Sequence, residues 1–498
     1  MKRIEHIIGG ELIGEGAARR PVFDPATGRQ SGEVMLGGAD EIARAVETAS
    51  KAQPDWAATP PAKRASVMFA LREVMNARRD EIAQTISAEH GKTHDDALGE
   101  VTRAMEVVEF AAGIPHLLKG DFSRSVAGGV DTIAEREALG VVAGVTPFNF
   151  PFMVPLWMIP MAIACGNTFV LKPSEKDPSS ANLIHDMLSE AGLPAGVLNV
   201  VHGEKEAVDA VLDHPAIAAV SFVGSTPVAE YIYGRGCASG KRVQALGGAK
   251  NHMIIMPDAD LDQAADALLG AGFGSAGERC MAISVAVPVG GETAEHLVEK
   301  LGPRVRALKI GPSTNSEAEM GPLISQAHRD RVAGLIDSGA REGAKIIVDG
   351  RGLTLQGYEE GYWLGGSLID HVKPGMRVYD EEIFGPVLSV VRASDYDDAV
   401  DLINNNPYAN GTAIFTRDGD AARDFTARIN VGMVGVNVPI PVPVGYHSFG
   451  GWKRSIFGAH GIYGPEAIHF YTRLKTVTTR WPTGIRAGAD FKFPTMNS

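Results

Sequence analysis

The chain has 498 residues, of which 45% are apolar and 21% charged; it is too long for one ordinary core and too apolar for a disordered polymer, so two or three folding units are expected. A net charge of −13 argues against nucleic acid or an anionic membrane surface as partner, because both reward a clustered basic face. Small molecules are the expected ligands. The three cysteines, Cys165, Cys237 and Cys280, form no Cys-x-x-Cys pair and cannot build a disulfide framework, so a reducing, cytoplasmic setting is expected. The N-terminal MKRIEHIIGGELIGEG has no apolar run of signal-peptide length.

After the turn Asp24-Pro25-Ala26-Thr27-Gly28, three helical patterns follow near 39–53, 61–90 and 95–113, the first marked by the spacing of Ile42, Val46 and Ala49. The stretch 138–171 carries no charged residue and has the length of a membrane span, but Pro147, Pro151, Pro155 and Pro160 interrupt it. It divides into a strand, the loop TPFNFP and an apolar helix, and is read as buried core with no membrane partner.

From residue 139 the rhythm is that of parallel sheets wound with helices: LGVVAGV, TFVLK, VLNVVHG, AAVSFVG and RVQAL form one series, and HMIIMP, SVAVPV, AKIIVDG, VLSVVR, GTAIFT and GMVGVN a second. The boundary between them is placed near 246–251. VDTIAERE and FYTRLKTVTTRW belong to neither series, and their alternating character suits strands that pair outside the two cores, between subunits.

Several motifs point to chemistry. Gly272-Phe273-Gly274-Ser275-Ala276-Gly277 satisfies G-x-G-x-x-G, yet a helical pattern precedes it and a strand pattern follows, the reverse of the dinucleotide fingerprint. Its small residues are expected instead to let the backbone crowd around Cys280. Lys172 and Glu175 in KPSEK follow the strand TFVLK, where ligands sit in open α/β sheets; Lys172 can donate to ribose or phosphate, and Glu175 can accept from a ribose diol and repel a 2′-phosphate, favouring NAD. The same string also reads as a charged turn. Ser225 and Thr226 in FVGST end a strand and open a helix whose free N–H groups could hold a phosphate. Cys280 lies between the cation Arg279 and Met281, with Glu278 opposing any lowering of its pKa, so the sign of the shift stays open.

TPFNFP (146–151), KPSEK (172–176), FVGST (222–226), LGGAKN (246–251), GERC (277–280) and EEIFGP (381–386) resemble, in order and spacing, the NAD(P)-dependent aldehyde dehydrogenase superfamily over nearly the whole chain. Within it, AKNH and GSAGERCMA resemble the CoA-acylating methylmalonate- and malonate-semialdehyde dehydrogenases. The resemblance implies an α/β aldehyde dehydrogenase fold with two doubly wound α/β domains and a small β oligomerisation element. The NAD-binding domain would take 1–121 and 143–247, the catalytic domain 248–446, and the oligomerisation element with a C-terminal tail 122–142 and 447–498, in a homotetramer or dimer.

The resemblance makes Cys280 the nucleophile and Asn149, with the Cys280 N–H, the oxyanion hole. It places Glu382 on the nicotinamide ribose and Phe384 by the ring, with Thr146, Phe148, Lys176, Ser225 and Gly247 as further cofactor contacts. Hydrolytic members carry a glutamate at the start of ELGGK; here Ala245 or Leu246, depending on the alignment, stands in its place, and neither can activate water. A thiol needs no such help, so coenzyme A is the expected acyl acceptor. Arg279 and Arg103 match the two arginines such enzymes use for a substrate carboxylate, which fits a three-carbon semialdehyde and loss of CO2; Arg103 also reads as a surface residue beside Glu100 or Glu106. The alternative is a hydrolytic aldehyde dehydrogenase with another base, such as Glu278 or a histidine. No resident metal is expected, because the 14 histidines show no ligand-spaced motif.

Overall fold

The computed structural model describes residues 2–14 and 18–482. An eight-stranded sheet runs in the order Ile456–Gly458, Arg242–Leu246, Ile217–Val223, Val141–Val145, Thr168–Lys172, Leu198–Val200, His6–Ile8, Glu11–Ile13. Its five middle strands are the first sequence series, and each pairs parallel with its neighbours in that series. From Val141–Val145 the chain winds outward through Thr168–Lys172 to Leu198–Val200, then returns to the other side as Ile217–Val223. The carboxyl ends of Val141–Val145 and Ile217–Val223 therefore flank a topological switch point, where a crevice must open. TPFNFP and FVGST both lie there.

A second sheet of seven strands has the order Lys345–Val348, Ser367–Asp370, Val387–Val390, Ile283–Pro288, Asn251–Ile255, Gly411–Phe415, Met433–Val436. All neighbours run parallel except the edge strand Lys345–Val348. AKIIVDG was expected among the parallel strands; no helix lies between it and Ser367–Asp370, and without a crossover the return is antiparallel. Ser367–Asp370 itself is short and preceded by two glycines, so no run of the second series marks it.

Thr472–Arg480, Val130–Ala138 and Asp121–Ala127 form a separate antiparallel sheet. It leaves Phe122, Ile133, Leu474 and Val477 exposed. The expectation that all of 447–498 belongs to this element and a tail needs correction: Ile456–Gly458 pairs with Arg242–Leu246 at the edge of the first sheet. Phe449 and Tyr463 also bury their rings against Trp157, at centroid distances of 5.0 and 5.2 Å. An open sheet edge and large apolar side chains draw this segment into the main core. Residues 483–498 of the tail lie outside the described residues.

Local boundaries differ too. The pattern over 61–90 is two helices, Pro61–Ala77 and Arg79–His90, broken at Arg78, whose guanidinium forks onto Glu81 and reaches Glu190. The first helix continues through Pro54 to Ala58. Met153–Ala164 is buried along its whole length, and no helix among the described residues is long and apolar enough to cross a membrane.

Candidate active site

A cleft of about 590 Å³ opens at the switch point of the first sheet and is closed on the far side by the second. Phe148, Asn149, Ser225, Gly247, Cys280, Glu382 and Phe384 all border it. Ser225 sits at the N-terminus of the helix Thr226–Ala238 and makes no side-chain cap bond, which leaves the N–H groups of the first turn turned to the cleft end. The Thr226 hydroxyl accepts from Gly248 N (2.8 Å), pinning the glycine loop against this helix. Phe148 and Phe384 meet edge to face at 5.9 Å. Phe384 holds φ +57°, a conformation costly for a bulky side chain, and His328 Nε2 donates to its carbonyl at 2.7 Å.

The Cys280 loop follows the helix Leu261–Phe273, whose start is capped by Asp260 accepting from Asp262 N and Gln263 N. Ser275, Ala276 and Gly277 then hold φ of +52°, +53° and +72° in succession. A Cβ on Gly277 would lie 2.2 Å from the Gly385 carbonyl oxygen, so close backbone approach demands glycine there, as expected of these small residues. The Cys280 carbonyl is held by the amides of Asn251 (2.9 Å) and Asn410 (3.1 Å). The backbone at Cys280 is thereby tied to one strand of the second sheet through Asn251 and to the start of another through Asn410.

Burial pushes the Cys280 thiol up to about 12, with the Glu382 carboxylate adding to it, while the N–H groups of Cys280 and Met281 and the Arg279 charge pull the other way. The sign left open by the sequence is thus upward. Glu382 is itself pushed up to about 6 by burial, against the N–H of Ala249, which it accepts at 2.8 Å, and the Lys250 ammonium. Burial also takes Glu278 up to about 8. Glu278 Oε1 accepts from Ile324 N at 3.3 Å, and His328 and His90 approach the carboxylate at 3.5 and 3.8 Å. Desolvation depresses His328 to about 4, so the imidazole beside the cleft is neutral; with Nε2 donating to a carbonyl, that nitrogen is not a base.

Other residues named from the sequence stand outside the cleft wall. Lys172 Nζ donates to Glu175 Oε2 at 3.3 Å at the end of Thr168–Lys172. Burial lowers the Lys172 ammonium; it would raise Glu175, but the charge of Lys172 and a backbone N–H more than offset it. Thr146 is buried with its hydroxyl unpartnered among the described residues, and Lys176 lies 4.6 Å over the Phe148 ring.

Each of the two arginines rests on an acid, and Arg279 shares a small pocket with Cys280 and Glu382. Arg279 pairs with Asp96 and borders a separate cleft of about 550 Å³ that also carries Asp95, Glu317 and Glu319, an acidic surface that repels a carboxylate. Arg103 pairs with Glu106 (2.7 Å) and donates to the Pro443 carbonyl (2.6 Å), which the Tyr463 hydroxyl also reaches at 2.7 Å. The protein's own acids thus occupy both forks. Glu100, weighed as a neighbour of Arg103, binds Lys92 instead.

Residues that motif reading missed include Lys92, Asp96, Glu100, His328 and Asn410. Each bonds a residue of the site at least 52 positions away in the chain, so no local pattern marks it. Away from the cleft, ligand atoms of His460, Glu466 and His469 come within 4.8 Å of one another, a grouping invisible in linear spacing; His460 Nδ1 and Glu466 Oε2 are 2.6 Å apart and His469 is exposed.

The profile of the aldehyde dehydrogenase family matches residues 13–477. A malonate-semialdehyde dehydrogenase of Pseudomonas aeruginosa is 55% identical over 497 residues, covering 100% of both chains. A second, from Geobacillus thermodenitrificans, is 47% identical over 481 residues, covering 96% of this chain and 99% of its own. Among solved structures, a methylmalonate-semialdehyde dehydrogenase from Oceanimonas doudoroffii superposes with a TM-score of 0.96 at 56% identity, over 97% of this chain and 99% of that one. A candidate methylmalonate-semialdehyde dehydrogenase from Sinorhizobium meliloti 1021, solved with NAD, does so with a TM-score of 0.96 at 57% identity and the same coverage. With its two wound sheets, its cysteine loop at their junction and matches spanning its length, the chain belongs to the aldehyde dehydrogenase family.

Proposed function

We propose that this enzyme is an NAD-dependent, CoA-acylating semialdehyde dehydrogenase that converts malonate semialdehyde or methylmalonate semialdehyde to acetyl-CoA or propionyl-CoA with loss of CO2. The observation that carries the reading is the cleft: Cys280, Asn149, Glu382 and Phe384 border one space, while the place of a hydrolytic base is taken by Ala245 or Leu246, both buried and apolar. The names of the relatives at 55% and 47% identity support the substrate class.

The residues fit a dinucleotide. The open helix end at Ser225 suits a phosphate, the orphaned Thr146 hydroxyl and the Lys172–Glu175 pair suit ribose oxygens, and Glu382 and Phe384 lie beside Cys280. Phe148, Lys176 and Gly247 complete the wall and its backing. NAD held there would supply the hydride acceptor for oxidation of the aldehyde.

The chain's own residues do the rest. Attack by Cys280 requires its thiol proton to pass to solvent first, and the N–H groups of Cys280 and Met281 stabilise the thiolate that forms. Asn149, with the Cys280 N–H, holds the alkoxide made as sulfur adds to the aldehyde carbon; one such donor is worth about 100- to 1000-fold in rate. The thioester then meets a cleft whose imidazole, His328, has Nε2 committed to a carbonyl, so water lacks activation at that nitrogen and the CoA thiol takes the acyl group, regenerating the Cys280 thiol. A carboxylate β to the thioester carbonyl leaves as CO2, its bonding pair accepted by that carbonyl and then protonated. Arg103 binds that carboxylate by exchanging it for Glu106, and Arg279 serves likewise only if released from Asp96. Residues 1–121 and 143–247 form the cofactor-binding unit, and the exposed antiparallel sheet mediates self-association to a dimer or tetramer.

The test is NADH formation from each semialdehyde with and without CoA, with products identified by mass spectrometry. CoA-dependent turnover to acetyl-CoA or propionyl-CoA is expected; undiminished turnover without CoA, giving the free acid, overturns the reading.

A further inference from the structure

We propose that the segment 90–100, at the junction of two N-terminal helices, is a positioning arm that sets Asn149 against Cys280. The inference rests on the reading of those two residues as oxyanion donor and nucleophile.

The junction is built to turn side chains inward. The helix Arg79–His90 ends at Gly91 with φ +90°, and a Cβ there would meet Pro322 at 2.8 Å, so only glycine makes this turn without displacement. Thr93 then caps the helix His94–Ala112 by accepting from Asp96 N at 3.3 Å. Between them Lys92 is buried to 1% exposure. Its ammonium donates to Glu100 Oε2 (2.8 Å) and to the Asn149 carbonyl (2.7 Å), and lies 4.3 Å over the Phe150 ring. Glu100 Oε1 in turn accepts from Phe152 N (2.9 Å) and Met153 N (3.0 Å), which open the helix Met153–Ala164. The peptide that follows Asn149 and the first N–H groups beyond its loop are therefore clamped to one buried ion pair.

One turn earlier on the same helix face, Asp96 grips the other half of the site. Its Oδ2 accepts from Ser275 N at 2.9 Å, at the start of the left-handed run, and its Oδ1 pairs with Arg279, the neighbour of the nucleophile. Arg279 stacks where Gly274 has no side chain, since a Cβ there would meet the guanidinium at 2.6 Å. A buried lysine and glutamate are an expensive way to fill space that Met and Leu would fill as well, and a charge pair kept there specifies geometry. Asp96 and Glu100 sit on one helix and Lys92 lies just before its cap, and together they touch both loops that must meet across the substrate. In this structure Arg279 is part of that arm.

The test is a double-mutant cycle on the full-length enzyme between Lys92→Met and Asn149→Ala, reading kcat and KM for the semialdehyde, NAD affinity and the melting temperature. Lys92→Met is expected to lower kcat about 10- to 100-fold with NAD affinity unchanged, and to cost less than about threefold more once Asn149 is already alanine. Fully multiplicative losses, or an unchanged kcat in Lys92→Met, overturn the proposal. Should Lys92→Met not fold, the half-buried Asp96 provides the same test: Asp96→Ala is expected to lower kcat about tenfold, and Asp96→Asn, which keeps an acceptor for Ser275 N, to restore most of it. An Asp96→Ala enzyme with full kcat overturns the proposal. Cys280→Ser and Asn149→Ala alone are the controls: full activity in either brings down the catalytic reading itself, whereas loss in both with a multiplicative cycle brings down only the arm.

Discussion

Glu100 under the Asn149 loop and Glu278 under the Cys280 loop are both buried, and their surroundings differ completely. Glu100 receives an ammonium and two backbone N–H groups, and it fixes the backbone around it. Glu278 receives one N–H at 3.3 Å, its Oε2 has no hydrogen-bond partner among the described residues, and neither ring nitrogen of adjacent His90 has one. Burial accordingly pushes Glu278 up to about 8 and His90 well below its ordinary value, so both are neutral at pH 7. A carboxylate surrounded by donors acts as a structural strut; one buried with a single N–H donor becomes a titrating group.

The largest effect that probes this contrast is catalytic. Asn149→Ala, on the strutted loop, should lower kcat by about 100- to 1000-fold in NADH-release assays, with little change in NAD affinity. Stability separates the carboxylates next. Lys92→Met leaves Glu100 without its cation and should cost about 3–5 kcal/mol in urea unfolding, whereas Glu278→Gln at pH 6 should change stability by less than about 1 kcal/mol, because it replaces an acid that is already protonated. Equal losses in the two variants would erase the distinction.

A pH series sharpens it further. The folded chain keeps the Glu278 proton up to about 8, while the unfolded chain releases it near the ordinary value of 4.5. The folded state binds the extra proton in that window, so the contribution is fully present below the unfolded value and is lost as pH rises through the folded one. Wild type should lose up to about 1.4 kcal/mol per pH unit relative to Glu278→Gln across that interval. Parallel stability curves would refute this. The smallest effect concerns Cys280. Glu382 contributes less than burial to the raised Cys280 pKa, so Glu382→Gln should speed alkylation of Cys280 by iodoacetamide a few-fold at pH 8. Alkylation in wild type should keep rising beyond pH 10.

Much of the fold was legible because its signals are local. Five apolar runs became the parallel centre of the first sheet, and the helix before and strand after Gly272 to Gly277 are those read from the pattern. Convergence of Asn149, Cys280, Glu382 and Phe384 on one cleft follows from motifs placed at strand ends and loops. The resting partners of the two arginines were out of reach for the opposite reason. Whether a guanidinium awaits a substrate depends on which acids the fold brings to it, and Asp96 lies 183 positions from Arg279. His328, the Lys92–Asn149 bond and the return of Ile456–Gly458 to the first sheet were equally out of reach.

By itself the sequence determined the winding of the two sheets, the cysteine loop and the lack of a protonatable side chain at Ala245 and Leu246, since periodicity, glycine placement and residue identity are properties of short stretches. Only the tertiary structure decided the ionisation of Cys280 and Glu278, the resting partners of Arg103 and Arg279, and the grip of Lys92 on Asn149. Desolvation and the pairing of buried charges depend on what lies within a few ångströms in space, and those neighbours come from distant parts of the chain.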